Sequence, residues 1–465
     1  MDIRTLEEMP ISERKAYALK KVKELQDKLN ASITIIEDDE VKADGKLKGI
    51  PVALKDNIST KGIKTTAASD ILDNYVPVYD ATIVKKLKEA GAIFVSKTSM
   101  DELAMGGTNR TANIGPCHNP YDLDRISGGS SGGSAALVAA GAVPLAIGSD
   151  TGDSVRKPAA YCGIVGVKPS YGRISRYGII PYASSLDHVG YFTTNVEDAA
   201  LALEVLAGRD DLDMTSSYEE VLEYSKLLDA NVKGRRLAIF GNVYDAISDS
   251  SIKEAFDKII VSLEDKGAII KKVYFDADLM KCLFPTYFII ANAEATANHS
   301  NLDGVRFGHR IDGDSMEDVM MATRTRGFSS FIKKRFVIGS YSLFEENQER
   351  LLKKAQRVRR LIVEAVLNEL KEVDALLAPA SGSIAPRLDD PSSDELSDEY
   401  LIAENHMVIG NFGGLPSMTL PMGFKDDLPI GINITCNAFK EEEMFDIALA
   451  IEDITGLKGH VKEVL

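Results

Sequence analysis

The chain predicts an α/β fold, with a β-sheet covered by helices on both faces. Three observations carry that prediction. Strand–helix–strand order recurs along the sequence. The predicted strands are short apolar runs, as expected of strands buried on both sides. The 465 residues, 45% of them hydrophobic, suffice for a large core. Length alone fits two or three domains or one large α/β domain. No internal repeat is visible, and no stretch is long and polar enough to link two domains.

The elements follow in order. Ile11–Leu29 combines helical spacing with many charges and predicts a surface helix, and Asp38–Lys48 a charged connector. Gly49–Lys55 (GIPVALK) predicts a buried strand ending in a lysine, followed by a turn at Asp56-Asn57. Asp80–Ala90 predicts an amphipathic helix with Asp80 as N-cap and Gly91 as its stop. Ala92–Ser96 is the next strand. Ala135–Ala140 predicts a closely packed helix, because alanine combines high helix propensity with little bulk. Pro144–Gly148 then predicts a strand. Asn195–Ala207 is a helix capped by Asn195 and ended by Gly208. Arg236–Phe240, Ser250–Lys266 and Ala268–Phe275 give strand, helix and strand. Phe344–Lys371 predicts one long charged helix, Asp374–Ala380 a strand, and Ser381–Glu399, rich in Pro, Ser and Asp, a mobile surface loop. Ser417–Met422 and Ile430–Cys436 predict two final strands, and Lys440–Ile454 a closing helix.

Composition removes several function classes. A formal charge of −16 does not suit a chain that grips nucleic acid by itself, since phosphate contacts need clustered Lys and Arg. Cys117, Cys162, Cys282 and Cys436 are scattered without a CxxC pair, so neither a zinc site nor a disulfide framework is indicated, and a reducing cytoplasm is expected. The N-terminus shows no apolar signal-peptide segment, and no apolar run is long enough to span a bilayer.

The chemistry concentrates in Asp124–Ser154. GGSSGGS at Gly128–Ser134 reads as a flexible linker or a phosphate loop if taken alone. Its flanks are apolar, however, and Gly133-Ser134-Ala135 lacks the lysine of a P-loop. A glycine loop holding serines against a buried strand end suits a nucleophile and an oxyanion site. Glycine also permits positive φ and close backbone approach there. None of the six histidines has metal-ligand spacing, and no GxSxG elbow is present. A serine hydrolase built here needs another base. Lys55, ending a buried strand, is the best-placed residue, because burial can leave a lysine neutral.

These residues resemble the amidase signature enzymes. GGSSGGSAA (Gly128–Ala136), GSDTGDSVRKPAAYCGIVGVKPS around Ser154, and GIPVALKDNI (Gly49–Ile58) carry the resemblance. SKTSMDELAMGGT, KPSYGRISRYGIIPYASSLDHVG, NLDGVRFGHR and NFGGLPSMTLPMG are similar to one branch, the A subunits of tRNA-dependent amidotransferases. The resemblance implies a single domain over 1–465, with the signature core at 49–200, built on a twisted mixed sheet surrounded by helices. It also implies a Ser–cis-Ser–Lys triad. Ser154 is the nucleophile, Ser130 the relay on a cis peptide with Gly129 or Ser131, and Lys55 the base. The N–H groups of Thr151, Gly152 and Asp153 would form the oxyanion hole. Arg335 matches the residue that clamps glutamine's α-carboxylate, Glu404 falls where the family has an aspartate for the α-ammonium, and Tyr287 lines the pocket or belongs to the core. B and C subunits are implied as partners. ATP and magnesium would be used by the B subunit, tRNA would be held mainly there, and this chain would carry no cofactor and no metal.

The sequence also departs from that pattern. Asp153 replaces a glycine and Lys157 a glutamine, which predicts a compensating Asp153–Lys157 ion pair. Arg110-Thr111 stands where the family has Glu-Asn. The expected activity is glutamine hydrolysis that supplies ammonia for converting Glu-tRNA(Gln) or Asp-tRNA(Asn). The alternatives are a free-standing amidase acting on small amides and a catalytically dead scaffold protein.

Overall fold

The computed structural model describes residues 2–39, 44–390 and 398–464. In chain order the strands are β1 (Ser32–Ile35), β2 (Pro51–Lys55), β3 (Ile93–Thr98), β4 (His118–Asn119), β5 (Asp122–Ile126), β6 (Leu145–Asp150) and β7 (Val165–Lys168). They continue as β8 (His188–Thr193), β9 (Arg236–Phe240), β10 (Ile269–Val273), β11 (Ala375–Pro379), β12 (Ser417–Lys425) and β13 (Leu428–Cys436). Eleven strands form one sheet in the order β1-β3-β2-β6-β8-β7-β12-β13-β11-β9-β10, and β4 and β5 pair separately. The sheet is mixed. β2 runs parallel to β3 and β6, and β9 parallel to β10 and β11. The other ladders of that sheet are antiparallel.

Side-chain alternation divides the core into two layers. Val52 and Leu54 of β2, Phe94 of β3, and Leu145 and Ile147 of β6 enter one apolar cluster. Ala53, Val95 and Ala146, the intervening residues, enter another with Ala135–Ala139 and Val22, Leu25 and Leu29 of the helix Ile11–Leu29. Helices therefore cover both faces, as the apolar strands required. Every residue of β2 is buried. Lys55 follows Ala53 on the face of the helix Gly132–Ala139, so the alternation delivers its amine to the glycine–serine loop that starts that helix.

Several expectations need correction. Asp80 does not cap the helix Thr82–Glu89; Ala81 holds that position, while the Asp80 carboxylate accepts from the Lys61 N–H at 2.7 Å and pairs with Lys88 at 2.8 Å. The expected helix Phe344–Lys371 is broken into Glu345–Gln348 and Leu352–Glu369. The amides of Asn347 and Gln348 reach back to the carbonyls of Tyr341 and Leu343, so this segment closes the preceding helix instead of continuing as one. The expected loop Ser381–Glu399 lies partly outside the described residues, and the helix Asp398–Asn405 begins within it. Its described part is tied down: the Ile126 N–H donates to Pro386 O and the Leu388 N–H to Asp124 O. The short elements Ile3–Glu7 and Ser32–Ile35 lacked a readable pattern, while Asn195 caps its helix as expected by accepting from the Asp198 N–H. Part of the connector Asp38–Lys48 lies outside the described residues.

Candidate active site

The glycine loop closes on Lys55. The Lys55 amine is fully buried and lies 2.8 Å from Ser130 Oγ, 2.8 Å from Ser131 Oγ and 2.9 Å from Ser149 Oγ, with Ser149 O at 3.3 Å. Two of these hydroxyls have other duties. Ser131 Oγ donates to Ser149 O at 3.0 Å, and Ser149 Oγ accepts from Asn57 Nδ2 at 3.1 Å. Ser130 Oγ has no further partner among the described residues, so its hydrogen is free to point at the amine. Burial lowers the Lys55 pKa to about 7, against the opposing pull of Asp101, Asp150 and Asp187. An amine at that value can accept a proton near neutrality.

The loop owes its shape to close approach. Gly128 is left-handed at φ 80°, and the peptide from Gly129 to Ser130 is cis. A Cβ on Gly129 would lie 2.0 Å from Asp101 Oδ2. That carboxylate accepts from the N–H groups of Thr108 at 3.1 Å and Asn109 at 2.9 Å, while the Asp101 N–H donates to Ser130 O at 3.1 Å. Asp101 thus clasps the loop from below.

Ser154 lies on the turn after β6, and its carbonyl accepts from the Ser131 N–H at 3.2 Å. A buried ion pair builds this turn. Arg156 Nε and Nη2 meet the two Asp150 oxygens at 3.1 and 2.9 Å. Arg156 also donates to Gly152 O at 2.8 Å, Asn411 Oδ1 at 2.7 Å and Met407 O at 2.7 Å. Burial alone would raise the Asp150 pKa, but the Arg156 charge and hydrogen bonds hold its carboxyl below the usual range. The turn's carbonyl is drawn toward Arg156. No hydrogen bond within the described residues uses the N–H of Thr151, Gly152 or Asp153. Unused, fixed N–H donors on one turn are what an oxyanion requires.

Around this centre, Tyr287 lies against Gly152, where a Cβ would be 3.1 Å from the tyrosine ring. Arg335, in the run Lys333-Lys334-Arg335, is half-buried, unlike its exposed neighbours. It donates to Tyr182 Oη at 3.1 Å and lies over Phe331 and Phe288, 4.7 and 5.1 Å from the ring centres. Its buried Nε has no hydrogen-bond partner. A cavity of about 230 Å³ has Asp153, Lys157, Arg110 and Glu404 among its lining residues. The expected Asp153–Lys157 pair is not formed: the Lys157 amine pairs with Glu404 at 2.7 Å. The added methylene of Glu404 brings its carboxylate to that lysine, to Ser381 Oγ and to the Gly382 N–H. Burial raises the Glu404 pKa, but Lys157 and these donors more than reverse the effect.

A family model described as Amidase matches residues 16–445. The chain belongs to the amidase family. The A subunit of glutamyl-tRNA(Gln) amidotransferase from Lactobacillus acidophilus is 42% identical over 439 residues, covering 93% of this amidase and 90% of that protein. The counterpart of the same name from Halothermothrix orenii is 41% identical over 449 residues, covering 94% and 92%. The solved structure of the glutamyl-tRNA(Gln) amidotransferase A subunit from Thermotoga maritima has a TM-score of 0.85 at 36% identity, covering 100% of this chain and 98% of that one. A 6-aminohexanoate cyclic dimer hydrolase, at 22% identity and TM-score 0.83 over 99% and 97% of the chains, shares the fold.

In this amidase the structure brings Lys55 and Ser130 into contact and sets Ser154 on the adjoining turn. Sequence reasoning missed Ser149 as a partner of Lys55, Asp101 as the clasp and Asn411 as a brace. Only the GSD step ending β6 hinted at Ser149. Among the described residues no group of three or more His, Cys, Asp or Glu side chains could hold a metal ion, and no helix is long and apolar enough to cross a membrane.

Arg156→Ala should destabilise the protein by about 3–5 kcal/mol, because it leaves the buried Asp150 carboxylate unpaired. Arg156→Lys should recover only part, since one ammonium cannot serve the same carbonyls and carboxylate together. Chemical denaturation of the two variants measures both effects.

Proposed function

We propose that this amidase hydrolyses glutamine through an acyl-enzyme and supplies the ammonia to a tRNA-dependent amidotransferase, in which it serves as the A subunit. The observation that carries the reading is a buried, lowered-pKa amine touching a serine hydroxyl beside a turn whose N–H groups are unused. Ser154 Oγ attacks the side-chain amide carbon. Its proton passes to Ser130 as the Ser130 proton passes to the Lys55 amine. The negative oxygen of the tetrahedral intermediate is received by the N–H groups of Thr151, Gly152 and Asp153, one such donor being worth about 3 kcal/mol. The relay then returns a proton to the leaving nitrogen, and water releases glutamate from Ser154.

Arg335 receives the α-carboxylate, a task suited to its free Nε and planar fork. Tyr287 forms a wall of the pocket and Glu404, held by Lys157, another. Chain 1–465 acts as one catalytic domain in the cytoplasm, with 49–200 as its core. B and C subunits complete the enzyme. The B subunit uses ATP and magnesium to activate the tRNA-bound glutamate or aspartate. The step proposed for this chain uses no cofactor or metal of its own.

The base form of Lys55 is the neutral amine, so activity is retained above its pKa and lost below it. With the value near 7, kcat/KM for glutamine should be level in mild alkali and fall tenfold per pH unit on the acid side. A profile flat down to pH values well below 7 would remove Lys55 as the base.

Ser154→Ala, purified with the partners that accompany the chain in its native cells, should fold and assemble without glutaminase activity. An acyl adduct found by mass spectrometry on any other residue would contradict the nucleophile assignment.

Arg335→Ala should lower kcat/KM for glutamine about 10- to 100-fold, as expected for losing a charged hydrogen bond. Turnover of formamide, which has no carboxylate, should be spared. Equal losses on both substrates would favour a free-standing amidase on small amides.

A further inference from the structure

Glutamine carries two opposite charges on one carbon, so a site that reads it needs a cation and an anion side by side. Glu404 is the sequence-matched anion, yet its oxygens are already engaged. Oε2 accepts from the Lys157 amine at 2.7 Å, Ser381 Oγ at 3.0 Å and Tyr161 Oη at 3.4 Å. Oε1 accepts from Ser381 Oγ at 2.9 Å and the Gly382 N–H at 2.8 Å. The ammonium this carboxylate would receive is supplied from within the chain.

Asp153 stands differently. It lines the same cavity, directly precedes Ser154, and its carboxylate has no hydrogen bond or ion pair among the described residues. Two cations on that wall have other partners: Arg110 donates to Leu388 O at 2.8 Å, and Arg387 pairs with Asp124 and Asp389. Tyr287, packed on Gly152, lies within the electrostatic reach of both Arg335 and Asp153. A cation with a spare N–H and an unengaged carboxylate therefore both lie within charge range of one phenol, which packs on the turn carrying Ser154.

We propose that the Asp153 carboxylate, and not Glu404, receives the α-ammonium of the amide donor, opposite the Arg335 clamp. The assignment rests on glutamine being that donor. It makes Asp153 a specificity residue through its side chain, while its N–H serves the oxyanion. Lys157 and Glu404 become a closed internal pair that shapes the wall.

The test uses the full chain with its co-purified partners and two amides: glutamine, and 4-carbamoylbutanoate, which is glutamine without the amino group. Asp153→Asn should raise KM for glutamine about 10- to 100-fold and leave KM for 4-carbamoylbutanoate unchanged or lower. Asp153→Glu, keeping the charge, should restore part of the preference. Glu404→Gln should change both substrates alike. Because Asp153→Asn could disturb the oxyanion turn, binding is also measured by calorimetry in a Ser154→Ala background, where no oxyanion forms. There the loss of glutamine affinity should persist. Equal losses on both amides with unchanged binding would overturn the assignment, as would removal of the preference by Glu404→Gln instead. Wild-type protein that turns over formamide but not glutamine would overturn the proposed function and this assignment together.

Discussion

A buried amine without a carboxylate against it governs this architecture. Two neighbouring strands carry buried lysines near their ends and handle them in opposite ways. Lys97 of β3 has Asp56 at 3.6 Å and donates to Ile58 O at 2.7 Å. Lys55 of β2 is met by three hydroxyls, with no carboxylate within ion-pair distance among the described residues. Burial depresses both, Lys97 to about 8 and Lys55 to about 7. Hydroxyls can accept from an ammonium or donate to an amine, so they accommodate either protonation state. A touching carboxylate would favour the ammonium. The rest of the site follows from that choice: a loop thin enough to bring serines to the strand end, and an Asp101 that holds this loop while staying beyond ion-pair distance of the amine.

The fold was legible because its strands are apolar runs and its helices mostly carry their own stop signals. The expected stops Gly91 and Gly208 both have positive φ in the structure, and the Asn195 cap forms as its residue type suggests. The contact between Lys55 and Ser130 was legible for a different reason. The glycine–serine loop and the lysine-ended strand are contiguous motifs, and each constrains its own local geometry.

The surroundings of Lys55 and Ser130 were less legible because their contacts join distant residues. The expected Asp153–Lys157 pairing rested on closeness in sequence, whereas the fold brings Glu404 to Lys157 from a C-terminal helix. Arg335 was singled out by resemblance alone, and it is the periodicity of the helix Ser330–Leu343 that turns it inward and leaves Lys333 and Lys334 exposed. The break before Leu352 arises from side-chain amides that cap a preceding helix, a competition that charge patterning does not display.

The Arg156 contacts also set an order of events during synthesis. The turn bearing Ser154 is braced by Met407, Asn411 and Ser417, which leave the ribosome long after Ser154 itself. A nascent chain ending before them has Lys55, Ser130 and Ser154 but not the braces that hold the turn. The Ser154 turn is thus fully braced only once nearly the whole polypeptide has emerged, and a product terminated before Met407 lacks those contacts.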